Sequence, residues 1–599
     1  MTLHDEVEIE DMDWSEELQA FTYQCPCGDL FQITLDELAA GEEVAKCPSC
    51  SLYVRVIYDP ADFQQPTVCG SSAPFIEPAT GQPSLQLHTV ALRGLPPGQA
   101  VRYRCGSAGG GWSEWRVFRA PRAPQQFGPD APARLLIVGD LGLYNSRCWP
   151  YIEGEVVGTT AASGSSGGGS AGSSDEGGAT GAAGRGTGLP SSGASSRTVP
   201  PGSSGAAGSK GSAAAGSSGS GGAASTTGAA AAGSSSSGED GSSVPPPAAY
   251  DALLHVGDIA YDLESLAGRR ASAFLRMVEP AAAHLPYIVA PGNHEWHANF
   301  SHYRALFAMP QRRRGENLFY SFDVGPLHVL VYNTEVFFWP ELFGEEHMRA
   351  QYEWMEANLK AANANRQRTP WILAAGHRPM YCVRAHDGRC SKEQEASRLG
   401  IPSFCPHNNP AACRPLRPPG SGPTFPIEQL FQRYGVDLAV FGHVHDYERY
   451  WPVANRSFPT PPPDDDSSSG SGALHTDTPG SGSPDSSHSS GSAGAASSLS
   501  FRRYLNPRAT VHVTSGSGGN AEMRNGEEPP PRGRCGGSAP WCAFQSGFAP
   551  APGRSYEYSF SRLEAFNASH LRWQQVSCLE GGRLVDEFWV EQAEHGPFS

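Results

Sequence analysis

Side chains that commonly bind metal ions follow five short apolar runs in the chain. These stretches read "ARLLIVGDLG", "ALLHVGDIAY", "LPYIVAPGNHE", "TPWILAAGHRPMY" and "VDLAVFGHVHDYE". Each cluster alone is weak evidence, because Gly-Asp after a strand is usually a turn and an isolated histidine is usually a hydrogen-bonded structural residue. Five clusters together favour a metal site over turn chemistry. The candidate ligands are Asp140, Asp258, Tyr261, Asn293, His377, His443 and His445.

The mixture of donor atoms indicates the metals and the chemistry. Carboxylate, imidazole, amide and phenol groups without a thiolate suit hard or borderline ions such as iron, zinc or manganese. A bridging carboxylate can hold two ions about 3.5–4 Å apart, which stabilises both the attacking and the leaving oxygen in displacement at phosphorus. Hydrolysis of a phosphate ester is therefore the default reaction. Tyr261 alone would be a core or rim aromatic residue; among the other candidates, it becomes a candidate metal ligand.

The same runs predict the elements that hold these side chains. They are apolar throughout, which is typical of strands buried on both faces under helices. One such helix is predicted in "HMRAQYEWMEANLKAA", where Met348, Tyr352, Met355 and Leu359 fall on one stripe. Functional residues of open α/β sheets collect at the carboxyl ends of strands. We therefore expect an α/β body, with the candidate ligands at its strand ends.

In chain order, "GDLG", "GDIAY", "GNHE", the histidine of "AAGHRPMY" and "GHVH" resemble the five blocks of the metallophosphoesterase fold as found in purple acid phosphatases. Longer stretches such as "HANFSHYRALFAMP", "NPRATVHVTSGSGG" and "FNASHLRWQQVS" are similar to the animal-type branch of that family. The likeness extends from about Phe75 to Val590, apart from two insertions. It implies an α/β fold class: a metallophosphoesterase β-sandwich flanked by helices, preceded by a fibronectin III-like β domain.

The resemblance also implies roles for the metal ligands. Asp258 would bridge two ions, and a hydroxide activated by these ions would attack the phosphorus of a monoester in line. The alcohol would leave from the opposite side. The ferric ion would be bound by Asp140, Tyr261 and His445, and a divalent iron, zinc or manganese ion by Asn293, His377 and His443.

Three further residues are candidates for catalysis by the same resemblance. His294 matches the substrate-facing histidine that stabilises or protonates the leaving oxygen, and Glu295 would support it by hydrogen bonding. His386 is a candidate second substrate histidine; the alternative is an ordinary exposed loop residue. One departure from the family is Ala374, where the fourth block usually has valine three residues before its histidine. We expect this change to alter strand packing and not ligation.

Four cysteines near the N-terminus form a second candidate metal site. Cys25, Cys27, Cys47 and Cys50 stand in a C-x-C…C-x-x-C frame, which suits a closed tetrahedral site for zinc, or for iron as in rubredoxin. Two disulfides are the alternative. The flanking sequence and Cys50-Ser51-Leu52 resemble the CSL-type (DPH-type) metal-binding domain of diphthamide biosynthesis. That resemblance implies zinc or iron, and an electron-transfer partner in the diphthamide pathway if the metal is iron.

Composition divides the chain into three regions and two insertions. With 70 glycines and 51 prolines among 599 residues, much of the chain cannot be packed core. The insertions are dominated by Ser, Gly and Ala and read as flexible. The middle region has strand-like runs but only about 60 residues, too few for a complete sandwich of about 100. The predicted boundaries are 1–62 (CSL-type), 63–122 (truncated fibronectin III-like), 133–595 (phosphoesterase), 158–247 and 457–498 (insertions), and 508–592 (C-terminal phosphatase segment).

Cellular location is predicted in two conflicting ways. The N-terminus is acidic and shows no export signal, and diphthamide synthesis is cytosolic. Yet the body carries glycosylation sequons at Asn299, Asn455 and Asn567 and ten further cysteines that an oxidising compartment would pair. One hypothesis is that two neighbouring genes are joined in this sequence. The ten cysteines are Cys69, Cys105, Cys148, Cys382, Cys390, Cys405, Cys413, Cys535, Cys542 and Cys578.

Charge and hydropathy narrow the classes of partner. A formal net charge of −17 argues against a nucleic-acid binder with a basic surface, and no run of 18 apolar residues predicts a membrane span. The leading prediction is an acid phosphatase for small phosphate esters. Two alternatives remain: a diphthamide-pathway electron carrier, and a phosphatase-like binding protein with an inactive site. Neither the physiological substrate nor the oligomeric state can be read from the sequence.

Overall fold

The structure is a computed structural model in which most of the chain outside the two insertions is described. Apart from one flanking residue each, both insertions lie outside the described residues, as does His386. The described residues are 2–15, 18, 20–34, 37–38, 41–58, 68–107, 110–158, 249–310, 317–383, 395–404, 414–416, 418, 421–457, 502–524, 541–546, 557–579 and 581–598.

The N-terminal region forms one six-stranded sheet. Its strands are β1 (Thr2–Glu8), β2 (Asp13–Ser15), β3 (Ala20–Gln24), β4 (Leu30–Thr34), β5 (Val44–Lys46) and β6 (Leu52–Ile57). They lie in the order β1-β6-β5-β4-β3-β2. Alternate residues point into a small core that contains Phe31, Ile33 and Val54, as expected for strands with one buried face.

The middle region forms three two-stranded sheets. Its strands are β7 (Ser71–Ile76), β8 (Pro83–Thr89), β9 (Ala100–Tyr103), β10 (Gly106–Ser107), β11 (Gly111–Trp112) and β12 (Arg116–Arg119). The pairs are β7 with β8, β9 with β12, and β10 with β11. The predicted strands are therefore present, whereas the described residues of this region do not join them into a sandwich.

The body is built on two seven-stranded sheets. Their order is β15-β14-β13-β26-β27-β28-β23 in the first sheet and β16-β17-β18-β21-β24-β22-β25 in the second; β19 and β20 form a separate hairpin. The strands are β13 (Ala133–Val138), β14 (Ala252–Val256), β15 (Tyr287–Ala290), β16 (Tyr320–Val324), β17 (Leu327–Val331), β18 (Trp371–Ala375), β19 (Ser403–Phe404), β20 (Arg414–Pro415), β21 (Leu438–Phe441), β22 (Tyr447–Tyr450), β23 (Arg502–Leu505), β24 (Val511–Ser515), β25 (Cys542–Ser546), β26 (Ser559–Ala565), β27 (His570–Ser577) and β28 (Leu584–Glu591).

The apolar runs of the sequence are the parallel strands at the centre of these sheets. In the first sheet β13, β14 and β15 are parallel, and in the second β17, β18, β21 and β24 are parallel. Every residue of β14, β18 and β21 is buried. The prediction of strands covered on both faces is therefore confirmed for these three strands.

Five helices lie wholly within the described part of the body. α4 contains the predicted stripe: Met348, Met355 and Leu359 are buried and Tyr352 is half-buried. α1 packs against α2, and α4 against α5. In the described part of the chain, no helix has the length and apolar character needed to cross a membrane. The helices are α1 (Trp149–Val157), α2 (Arg269–Ala282), α3 (His297–Leu306), α4 (Pro340–Ala364) and α5 (Ile427–Tyr434).

A buried ionic cluster links the two large sheets. Arg449 of β22 donates to Asp586 of β28 from Nε (2.6 Å) and Nη2 (3.1 Å). Tyr447 donates to the same carboxylate (2.8 Å), and Arg449 Nη1 donates to the hydroxyl of Tyr504 (2.6 Å). All four side chains are buried. Because the charges satisfy each other across the sheets, losing one partner would leave an uncompensated charge in the core.

A disulfide joins two distant parts of the body. Cys148, immediately before α1, is bonded to Cys578 at the end of β27, and 430 residues of sequence separate them. Cys382 and Cys542 are also disulfide-bonded, whereas Cys69 and Cys105 are free. Pairing is therefore confirmed for some of the ten body cysteines and does not occur for two of them.

Candidate metal centre

Each of the five polar clusters follows a parallel strand, and a glycine precedes the first candidate ligand in each. These backbones leave the strands in unusual conformations: Asp140, Asp258 and His443 have φ values of 57°, 50° and 69°. Asp and His tolerate this left-handed region better than most residues do. The first ligands are Asp140 after β13, Asp258 after β14, Asn293 after β15, His377 after β18 and His443 after β21.

One half of the site surrounds His377. Its Nε2 lies 3.2 Å from Asp258 Oδ2 and 3.1 Å from Asn293 Oδ1. Its Nδ1 donates to the carbonyl of Val256 (2.9 Å), so Nε2 is the nitrogen turned toward the site. Ligand atoms of Asp258, His377 and His443 all lie within 4.8 Å of one another, which is close enough for one ion to contact all three.

The other half brings together Tyr261, His445 and Asp140. The Tyr261 hydroxyl lies 2.8 Å from His445 Nε2 and 3.3 Å from Asp140 Oδ1. His445 Nε2 lies 3.4 Å from the same carboxylate oxygen. A phenol, an imidazole and a carboxylate therefore meet at one point. The Tyr261 hydroxyl thus faces two other candidate ligands, as its hypothetical role as a ligand requires.

Electrostatics couple the two halves. Burial opposes ionisation of Asp258, but His377 and His294 outweigh it and hold the Asp258 pKa well below its usual range. Burial raises the pKa of Asp140, and Asp258 acts in the same direction while His445 opposes it. Burial would lower the pKa of His377, yet Asp258 raises it to about 10. These pKa shifts mean that protons on the histidines balance the charge of the neighbouring carboxylates. Metal cations would take the place of those protons, so the donor set fits two metal ions.

Two glycines make room for these ligands. Gly257 has φ +88°, a conformation that L side chains rarely adopt, and a Cβ there would collide with the His377 ring. A Cβ on Gly292 would collide with Asp258 Oδ1. The glycines of the Gly-Asp and Gly-Asn pairs therefore reverse the chain and also leave the space that the neighbouring candidate ligands occupy.

Glu295 has a different position from the one expected. Its carboxylate accepts the backbone N–H groups of Asp258 (3.0 Å), Ile259 (2.8 Å) and Gly292 (2.9 Å). Burial and Asp258 raise the Glu295 pKa to about 8, against the pull of two of these amides. Glu295 therefore fastens the loop after β14 to the loop after β15. The expected hydrogen-bond support of His294 comes from another residue.

That residue is Asp262, which the sequence motifs did not indicate. Asp262 Oδ1 lies 2.9 Å from His294 Nδ1, while His294 Nε2 lies 4.0 Å from Asp258 Oδ2. Burial would lower the His294 pKa, but Asp258 and Asp262 raise it to about 9. Asp262 therefore aims Nε2 toward the metal ligands. The available signal was a second carboxylate four residues after Asp258 in the same loop.

Arg378 and Glu335 were also missed. Both side chains are buried, and Arg378 Nε donates to Glu335 (2.9 Å). Arg378 Nη1 lies 3.1 Å from His443 Nε2, and its backbone N–H donates to Thr334 Oγ1 (3.0 Å). The loop after β17 is therefore the sixth strand-end loop that contacts the site. The polar sequence "YNTE" in this loop could have indicated that contact.

Two expectations about the fourth block stay predictions. Ala374 is fully buried in β18, and the effect of its smaller side chain on strand packing stays a prediction. His386 lies outside the described residues, so its role as a second substrate histidine stays a prediction.

The four N-terminal cysteines form a second cluster. Cys25 Sγ lies 3.7 Å from Cys50 Sγ, and Cys27 Sγ lies 3.5 Å from Cys47 Sγ. All four sulfur atoms lie within 4.8 Å of one another and none is in a disulfide. The alternative of two disulfides is therefore wrong for this structure, and the cluster fits one tetrahedral ion.

Three family models match separate parts of the chain. Residues 5–59 match the CSL zinc finger, residues 241–447 the calcineurin-like phosphoesterase, and residues 509–587 the iron/zinc purple acid phosphatase-like protein C region. With its two sheets and strand-end site, the body thus has the metallophosphoesterase fold. More specifically, the chain combines an N-terminal CSL zinc finger with a calcineurin-like phosphoesterase region and a C-terminal region that matches the purple acid phosphatase-like model.

Known proteins resemble the two parts separately. "Acid phosphatase type 7" of Danio rerio is 37% identical over 350 residues, 58% of this chain and 63% of that protein, so the chain spans less than two thirds of this relative. "Diphthamide biosynthesis protein 3" of Caenorhabditis elegans is 55% identical over 75 residues, 12% of this chain and 94% of that protein. A purple acid phosphatase from Lupinus luteus seeds has 18% identity and a TM-score of 0.49, covering 88% of this chain and 67% of that one.

Proposed function

We propose that this chain is an acid phosphatase that hydrolyses phosphate monoesters at a centre of one ferric and one divalent ion, the latter iron, zinc or manganese. The observation that supports this most is the meeting of a phenol, carboxylates, an amide and imidazoles at the ends of neighbouring parallel strands. Asp140, Tyr261 and His445 would hold the ferric ion. Asn293, His377 and His443 would hold the divalent ion, with Asp258 shared between them.

The chain's own residues would orient the reaction. When bound, the two cations supply Lewis acidity at the phosphoryl group and activate the attacking water. Asp262 fixes His294 through Nδ1 (2.9 Å), which leaves Nε2 to donate a proton or hydrogen bond to the leaving oxygen. Glu295 keeps Asp258 in place through backbone contacts. Asp258 and His377 are buried, which supports a site from which bulk water is largely excluded.

The experiment that tests this function is an assay of the full chain, supplied with iron and with zinc or manganese, on a chromogenic phosphate monoester at acid pH. Hydrolysis is expected, and the Asp258→Asn variant should lose it. Absence of hydrolysis by the wild-type chain with both metals bound would support the alternative of an inactive, phosphatase-like binding protein.

Tyr261→Phe tests the ferric half of the site. The wild-type chain loaded with ferric iron should show a visible phenolate-to-iron absorption, and this band should vanish in the variant because phenylalanine has no oxygen to bind the ion. Visible spectroscopy with iron analysis measures both quantities. Tyr434→Phe is the matched control, since that hydroxyl contacts Glu356 on the surface (3.3 Å). A colourless wild-type protein containing ferric iron would disprove the role of Tyr261.

We also propose that the N-terminal cysteine cluster holds one zinc or iron ion. A Cys47→Ala, Cys50→Ala double variant of the full chain should lose about one metal equivalent, because two of four ligands are removed. Elemental analysis measures the loss, and Cys105→Ala, which changes a free exposed cysteine, is the control. Unchanged metal content would refute the site. An electron-carrier role with a diphthamide-pathway partner requires iron, so zinc alone in the native protein would refute that second function.

The middle region is proposed to be a shortened fibronectin III-like domain, with boundaries near 63 and 122. Its strands and its contacts at the C-terminal end of α2 support this: Tyr103 donates to the carbonyl of Ala283, the residue after α2 (2.9 Å), and Arg116 pairs with Glu279 of α2 (3.1 Å). We further propose that the body matures in an oxidising compartment. The disulfide and the exposure of Asn299 and Asn455 support that location.

A further inference from the structure

The turn that follows β24 is hydrogen-bonded to the backbone of Asp140, one of the candidate metal ligands. Asn520 Nδ2 donates to the carbonyl of Asp140 (3.1 Å), and Asn520 Oδ1 accepts the backbone N–H groups of Glu522 (2.8 Å) and Met523 (3.3 Å). Met523 is buried beneath the turn. These contacts fix the backbone of Glu522 relative to Asp140, so the position of this glutamate is built into the fold.

The Glu522 side chain lies where the alcohol part of a substrate would leave. Its Oε1 is 3.7 Å from His294 Nε2, and 55% of the side chain is exposed. In the proposed reaction, His294 Nε2 would face the leaving oxygen, since Asp262 occupies Nδ1. A carboxylate therefore stands beside the leaving group and is still open to solvent.

The Glu522 carboxylate shares its cationic partner, the His294 imidazole (3.7 Å), with Asp262 (2.9 Å) and Asp258 (4.0 Å). Three carboxylates therefore face one imidazole, which can carry only one positive charge. Asp262 already has two partners, His294 and Arg270, the latter 3.4 Å away. The Arg270 guanidinium also lies over the ring of Tyr144, 5.4 Å from its centre. Within the part of the chain that the structure describes, no ion pair joins Glu522 to a lysine or arginine. Glu522 therefore gives the leaving-group side of the site a negative charge.

We propose that Glu522 is a specificity-determining residue that favours phosphate monoesters whose alcohol carries a positive charge a few atoms from the ester oxygen, the class of amino-alcohol phosphates. The proposal rests on the phosphatase function proposed above. A carboxylate attracts such a cation and repels alcohols that carry further negative charge. Because the pair would be partly exposed, its effect is worth about a fivefold preference.

The test compares phosphocholine with 3,3-dimethylbutyl phosphate, in which carbon replaces the charged nitrogen and the shape is kept. Release of inorganic phosphate gives kcat/KM for each ester with the full, metal-loaded chain. The wild-type ratio should favour phosphocholine about fivefold. In Glu522→Gln the ratio should fall to about one, because the amide keeps the size and loses the charge. Glu346→Gln, the same change at an exposed residue of α4, should keep the wild-type ratio.

The outcomes separate this proposal from the general function. If the wild-type chain hydrolyses both esters with equal kcat/KM, the specificity proposal fails and the phosphatase function stands. If Glu522→Gln lowers both values by the same factor, Glu522 acts on His294 and not on the substrate, which also overturns the proposal. If neither ester nor a chromogenic monoester is hydrolysed, the proposed function itself fails.

Discussion

The Asp258→Asn variant should hydrolyse a chromogenic phosphate monoester about a thousandfold more slowly than the wild-type chain. The carboxylate would be shared between two cations, and an uncharged amide cannot balance both. Losing about 4 kcal/mol of transition-state stabilisation corresponds to a factor of this size. Steady-state kinetics at acid pH, with metal content measured on the same samples, gives the result.

Asp323→Asn is the matched control for that variant. Asp323 is a half-exposed carboxylate that pairs with His328 (2.7 Å), away from the metal centre. Its substitution makes the same chemical change, and the activity should stay within about twofold of the wild-type value. Activity that persists in Asp258→Asn with both metals bound would contradict the assignment of Asp258. Equal losses in both variants would attribute the effect to the general charge change.

Asp586→Asn should lower the free energy of unfolding by about 3–5 kcal/mol, because it leaves Arg449 charged and buried without its partner. Urea denaturation of the full chain, followed by tryptophan fluorescence, measures the change. The contrast is Glu356→Gln, which removes an exposed pair with Arg433 (2.7 Å) and should cost no more than about 1 kcal/mol.

A second variant distinguishes a lost charge from a disturbed shape. Replacing both partners, as Arg449→Met with Asp586→Leu, removes the buried charges together and should restore most of the stability. If Asp586→Asn and Glu356→Gln cost the same, the cluster between the sheets contributes no more than a surface pair. If the double variant is less stable than Asp586→Asn, packing and not charge dominates at this position.

The centre of the body could be predicted because its signals are local. The run Leu253–Val256 contains one polar residue, His255, and all four of its side chains are buried. The run ends just before the candidate ligand Asp258. Parallel strands place their carboxyl ends at one edge of the sheet. Ligands that follow successive strands in the sequence therefore lie close together in space. The fold class and the grouping of the ligands followed from these facts.

The other contacts of the fold and the site could not be predicted, because they join residues that are distant in sequence or that show no characteristic motif spacing. β13 pairs with β26, which lies more than 400 residues later, and no local pattern indicates such a pairing. Arg378 and Glu335 lie in different loops, and their residue types are usually solvent-exposed. The resemblance implied that Glu295 supports His294 by hydrogen bonding. Its side chain instead turns to the backbone of the neighbouring loop, where three N–H groups need an acceptor.

The Cys148–Cys578 bond determines what a break in the long first insertion would do. Cys148 precedes that insertion and Cys578 follows it, so a single cleavage between residues 159 and 248 would produce two polypeptides that remain one covalent molecule. Asp140 would then belong to one polypeptide and Asp258 to the other. The metal centre would be shared by a light and a heavy chain, which one sulfur–sulfur bond would join covalently in addition to the pairing of β13 with β14 and β26.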